Sequence, residues 1–101
     1  ELLSHVGLGH RSRAYPGQLS GGETARAALV AALAHDPPVL LADEPTAEVD
    51  AGTEDRVAEV IEAFVAGQGG RHGALIATHS SRLAQRADRV LRLRDGRWQD
   101  A

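Results

Sequence analysis

Three short stretches of this chain carry residues that can do chemistry together. Val39-Leu40-Leu41-Ala42-Asp43-Glu44-Pro45 places two carboxylates at the end of an apolar run, and Ala77-Thr78-His79-Ser80-Ser81 places an imidazole at the end of another. Leu19-Ser20-Gly21-Gly22-Glu23 sets a hydroxyl and two glycines before an alanine-rich segment. Successive strand residues face opposite ways, so Asp43 and Glu44 have different tasks. One can hold Mg²⁺, which prefers carboxylate and water. The other can orient or deprotonate a water. An acid pair at a strand end can equally do no more than cap a turn. His79, at the end of the neighbouring strand, can hydrogen-bond a phosphate; a lone histidine is also an ordinary packing or surface residue. Ser20 and Glu23 fit a capping box. The same helix start offers free N–H groups, the positive end of the dipole and glycines that admit close approach, which suits a phosphate.

These groups need elements to position them. The segment from Gly21 to His35 reads as a helix of high intrinsic propensity, ended by Asp36-Pro37-Pro38. "VLLAD" and "ALIAT" are short apolar runs of the kind found in strands buried on both faces of a parallel sheet. Between them, Val57, Val60, Ile61, Phe64 and Val65 recur at helical spacing within Thr53 to Val65. "SSRLAQRA" predicts a short helix capped by Ser80 or Ser81. "RVLRLR" predicts a strand, Asp95-Gly96 a tight hairpin turn, and "RWQ" its return. "ELLSHVGL" suits another short helix, followed by a loop. Strands alternating with helices give an α/β fold with a parallel sheet.

The bulk numbers bound the reading. The chain has 101 residues, 43% of them hydrophobic, which suffices for one small domain with a core. A net charge of −3 provides no general nucleic-acid or membrane surface. Without cysteine there are no disulfides or thiolate metal sites. No apolar run reaches the roughly 18 residues of a spanning helix. The chain starts at Glu1, contains no methionine, and its 11 basic residues are all arginine. It reads as part of a longer polypeptide, and any chemistry requiring lysine has to come from elsewhere.

In this order and spacing the motifs resemble the nucleotide-binding domain of ABC transporter ATP-binding proteins. "LSGGE" resembles their signature motif and "VLLADEP" their Walker B strand with its catalytic glutamate. "TAEVD", Thr46 to Asp50, resembles the D-loop, and "THSS" the H-loop. "ADRVLRLRDGRWQD" resembles their last strands. The similarity covers almost the whole chain and is nearest to the lipoprotein-release and macrolide-export group. It implies a partial P-loop NTPase, with residues 36–101 as the C-terminal half of a RecA-like core and residues 1–35 as the end of the helical subdomain. It also implies an ATPase subunit that binds ATP and Mg²⁺ in a head-to-tail dimer with a second ATPase subunit. Such a subunit drives a transmembrane permease at the cytoplasmic face of the cell membrane, with no nucleic-acid partner. Leu19, Ser20, Gly21, Gly22 and Glu23 would then contact the γ-phosphate of ATP held by the opposite subunit. Asp43 would bind Mg²⁺ through water, and Glu44 would be the general base or water-positioning group. His79 would hydrogen-bond the γ-phosphate, and Asp50 would join the dimer contact.

The family's P-loop, G-x-x-x-x-G-K-[ST], its Q-loop and its adenine-stacking aromatic are not in these residues. The 101 residues alone are therefore expected to be inactive. Thr24-Ala25-Arg26 stands where the family often has Gln-Gln-Arg. A chromosome-maintenance or DNA-repair ATPase shares the signature, but the compact run from Glu44 to His79 argues against it. A non-catalytic regulatory module has no need to keep Glu44 and His79. In the family the P-loop strand lies between the strands corresponding to "ALIAT" and "RVLRLR". Without it, "RVLRLR" is expected to close onto "ALIAT", or a second chain to fill the slot.

Overall fold

The computed structural model describes residues 21–100. Leu19, Ser20 and the expected helix over "ELLSHVGL" lie outside the described residues. Helix α1 spans Gly21–Ala34 and strand β1 Val39–Asp43. Helix α2 spans Ala51–Ala66 and, after a short 3-10 turn at Gln68–Gly70, strand β2 spans Gly73–Ala77. Helix α3, Ser81–Ala84, leads to the hairpin of β3, Leu91–Arg94, and β4, Arg97–Asp100.

β1 and β2 pair in parallel, in register from Val39 opposite Gly73 to Asp43 opposite Ala77. Gly73 N–H donates to Pro38 O at 3.0 Å and Glu44 N–H to Ala77 O at 2.8 Å, which extends the ladder at both ends. The crossover is α2, as a parallel pair requires. The apolar stripe read from the sequence is the one that α2 buries: Val57, Val60 and Ile61 join Leu29 of α1 and Leu40 of β1 in one core. Ala74 and Ile76 of β2 pack against it. Asp50 caps α2, its Oδ1 accepting Thr53 N–H at 2.7 Å. The cap starts the helix at Ala51, two residues before the expected Thr53.

Two expectations are corrected. The apolar runs are buried on one face, not both: Leu40 is 2% exposed, while Leu41 is 72% and its register partner Leu75 67% exposed. Both helices of the core lie on the Leu40 side, and no described element covers the other side. "RVLRLR" also does not close onto "ALIAT". The sheet of β3 and β4 is separate from that of β1 and β2. Arg82 and Arg86 pin the segment after β2 to α2 through Asp55 and Glu62. β3 takes its ladder from β4 across Asp95-Gly96, where both residues have positive φ, 50° and 73°, as a tight hairpin turn requires.

Candidate active site

The C-terminal ends of β1 and β2 lie side by side, so their following loops meet. That is where open α/β sheets bind ligands. Asp43 closes β1 on its exposed face. Glu44 leaves the strand at φ 49°, a left-handed conformation that a glutamate adopts only under constraint. Its carboxylate shows the constraint. Oε1 accepts the His79 N–H at 2.8 Å, and Oε2 accepts the Thr78 hydroxyl at 3.2 Å. The His79 ring stands in solvent, with Nε2 3.7 Å from Glu44 Oε1. Asp43, Glu44 and His79 are thus brought together, and the two carboxylates are directed differently because the chain turns out of the strand at Glu44.

The donor set bears on a cation. Among the described residues no group of three or more His, Cys, Asp or Glu side chains forms a metal cage. Asp43 offers a single exposed carboxylate. That fits Mg²⁺, which keeps most of its waters and is usually held by one or two carboxylates together with substrate phosphates.

The loop after Glu44 reaches α1. Glu48, at φ 62°, places Oε2 2.9 Å from the Gly22 N–H, which donates to it. The backbone follows closely: a Cβ on Gly22 would lie 2.8 Å from Ala47 O. Arg26, 8% exposed, lies against the same point, with its Nε and Nη1 buried and without hydrogen-bond partners among the described residues. Thr53 holds Asp50 below the ordinary carboxylate range, first through its backbone N–H and then through its side chain; the charges of Arg56 and Arg26 add to this. Of the residues expected to meet phosphate, Gly21, Gly22 and Glu23 therefore begin α1, and Gly22 is joined to the D-loop-like segment. A crevice of about 150 Å³ between α1 and β1 is lined by Ala25, Ala28, Leu29 and Leu40 and ends at Asp43. Among the described residues its lining has no cationic group.

The sequence reading passed over Glu48, Glu54 and Thr78. Glu54 Oε2 accepts the Thr46 hydroxyl at 2.8 Å and the Ser80 hydroxyl at 2.7 Å. In the sequence Glu54 is only an acid in the first turn of a helix. The available signal was positional: Thr46, Thr78 and Ser80 directly flank the strand-end residues, and hydroxyls there need acceptors when buried.

A family model described as ABC transporter matches residues 1–47. A lipoprotein-releasing system ATP-binding protein LolD of Novosphingobium aromaticivorans is 53% identical over 96 residues, 95% of this chain and 42% of that protein. A LolD 1 protein of Rhodospirillum rubrum is 50% identical over 97 residues, 96% of this chain and 42% of that protein. The chain therefore spans about two-fifths of the length of these curated relatives. Among solved structures, the ATP-binding cassette MJ0796, described as a dimer in a post-hydrolysis state bound to ADP and Pi, superposes with a TM-score of 0.79. It is 31% identical over 98% of this chain and 44% of that one.

Proposed function

The chain belongs to the family of ABC transporter ATP-binding proteins, in its lipoprotein-release group, and from that premise we propose that it supplies half of a composite ATP-hydrolysing site. In this reading residues 1–35 end a helical subdomain and residues 36–101 belong to the ATPase core. The whole subunit pairs head to tail with a second one and binds ATP and Mg²⁺ between them. It drives a transmembrane permease from the cytoplasmic face of the membrane. The names of the relatives favour lipoprotein release as the work done.

One observation carries the chemistry. The Glu44 carboxylate stands at the end of a parallel strand pair between Thr78 and His79, with Asp43 beside it on the open face. Phosphoryl transfer to water needs mainly positioning and charge stabilisation. Asp43 would hold Mg²⁺ through water; that ion, when bound, neutralises charge on the phosphates. Glu44 accepts one hydrogen bond on each oxygen here, which leaves lone pairs for the attacking water that it orients or deprotonates. The exposed imidazole of His79 is free to reach a phosphate oxygen. The start of α1 would meet the phosphate brought by the opposite subunit, once the Gly22 N–H is released by Glu48.

Glu44→Gln in the full-length ATPase tests this. It should keep ATP binding, nearly abolish turnover and accumulate an ATP-bound dimer on gel filtration. Near-normal turnover would remove Glu44 from its role. Residues 1–101 alone should not hydrolyse ATP and should bind it with a Kd on the order of millimolar or weaker. Micromolar affinity by calorimetry would contradict the need for a lysine-bearing phosphate loop.

A further inference from the structure

We propose that Glu54 is a positioning residue for hydrolysis. Its carboxylate ties the loop behind Glu44 to the loop that carries His79. A single oxygen, Oε2, accepts both the Thr46 hydroxyl at 2.8 Å and the Ser80 hydroxyl at 2.7 Å. Thr46 is two residues after Glu44 and only 6% exposed; Ser80 directly follows His79. Hydrogen bonds to a carboxylate are stronger than neutral ones. The anchor is also rigid: Glu54 stands in the first turn of α2, its own N–H bonded to Asp50 O at 2.9 Å, one turn before buried Val57 and Ala58. Ser80 carries the constraint onward, since its Oγ accepts Leu83 N–H at 3.1 Å and starts α3.

Beyond the Glu44 N–H to Ala77 O bond of the ladder, side chains join the two loops twice. Glu44 makes one junction through Thr78 and His79, and Glu54 makes the other through Thr46 and Ser80. The proposal rests on the hydrolytic role given to Glu44. In that role Glu44 takes a proton from the attacking water, and once neutral it accepts the Thr78 and His79 hydrogen bonds more weakly, which loosens the first junction during turnover. Glu54 has no chemical task and stays bound. It keeps the Glu44 and His79 loops in register at the moment when the Glu44 carboxylate holds them least.

The test uses the full-length ATPase containing this chain, comparing wild type, Glu44→Gln, Glu54→Ala and Glu54→Gln. Because both hydroxyls converge on one acceptor oxygen, glutamine can still accept them through its amide oxygen; alanine cannot. Misplaced groups cost rate steeply, so Glu54→Ala should lower kcat per folded molecule by about tenfold or more. KM for Mg-ATP should stay within about threefold, and Glu54→Gln should recover kcat to within about threefold of wild type. Amide hydrogen exchange at His79 and Ser80 should quicken in Glu54→Ala and not in Glu54→Gln. An unchanged kcat in Glu54→Ala, or equal losses in both variants, overturns the proposal. Wild type lacking ATPase activity, or indifference to Glu44→Gln, sinks instead the hydrolytic reading. In that case unchanged exchange at His79 in Glu54→Ala would still overturn the tie itself.

Discussion

The carboxylate of Glu48 accepts the backbone N–H of Gly22 at 2.9 Å, joining residues 26 apart in sequence. The first turn of α1 is thereby closed by an anion from the loop after β1. Free N–H groups and the dipole make a helix start favourable to negative charge, and here the chain supplies that charge itself. Phosphate approaching the same N–H would have to displace it.

Glu48→Ala should therefore have two opposed effects. Loss of the side-chain acceptor should cost about 1 kcal/mol of stability, as removal of a helix-end acceptor does. In the full-length ATPase it should lower the ATP concentration needed for dimerisation, because the competing anion is gone. Urea unfolding followed by far-ultraviolet circular dichroism checks the first, and ATP-dependent gel filtration the second.

Two glycines in first turns should respond to alanine with opposite signs. Alanine is the better helix former by about 1 kcal/mol. At Gly52 the nearest atom to an added Cβ is Asp50 Oδ1 at 3.5 Å, an ordinary contact, so Gly52→Ala should stabilise. At Gly22 the Cβ would meet Ala47 O at 2.8 Å, a backbone atom that cannot give way without moving the loop. Gly22→Ala should destabilise, despite the propensity gain. Denaturation midpoints of the two variants compared with the parent decide it.

Adjacent leucines of β1 should behave differently. Leu40, 2% exposed within the core, should cost about 2–4 kcal/mol when cut to alanine. Leu41, 72% exposed, should cost well under about 1 kcal/mol in this chain. Equal losses would mean that the outer face of β1 is covered in solution.

Acid should loosen α2. The Arg82 hydrogen bonds hold Asp55 below the ordinary carboxylate range, with the charges of Arg82 and Arg86 adding to them. The guanidinium grips both oxygens, each at 2.9 Å. Thr53 lowers Asp50 in the same way. A carboxylate depressed in the folded state binds fewer protons there than in the unfolded chain. Its stabilisation is present above the unfolded value of about 3.9 and is lost as pH falls through the folded one. Urea midpoints should drop below about pH 4, and by less in Asp55→Asn. Arg82 and Arg86 are raised and play no part in this range.

What was legible in the sequence depended on period and punctuation. The α2 stripe, the Asp95-Gly96 turn and the strand-end placement of Asp43, Glu44 and His79 all follow from local pattern. A continuous apolar run says nothing of which face finds a partner, so Leu41 and Leu75 were expected inside. Glu48 and Glu54 were illegible for another reason. Each works through residues 26 positions away, Gly22 and Ser80, and an exposed-looking acid on a loop or first turn gives no sign of a distant donor. Only the folded chain brings them together.

The separation of the two sheets has a consequence for cooperativity. Residues 39–77 form a strand-helix-strand unit whose pairing waits on the crossover helix, whereas the β3–β4 hairpin closes through a turn of two residues. Sharing no ladder among the described residues, the two need not melt together, and separate transitions are the expected outcome. The chain's single tryptophan, Trp98, lies opposite Leu93 in the hairpin and is 70% exposed. Its fluorescence therefore reports the hairpin alone, while the helical signal of circular dichroism reports the α2 core. The two transitions should not coincide, and only the second one measures the stability of the unit that carries Glu44 and His79.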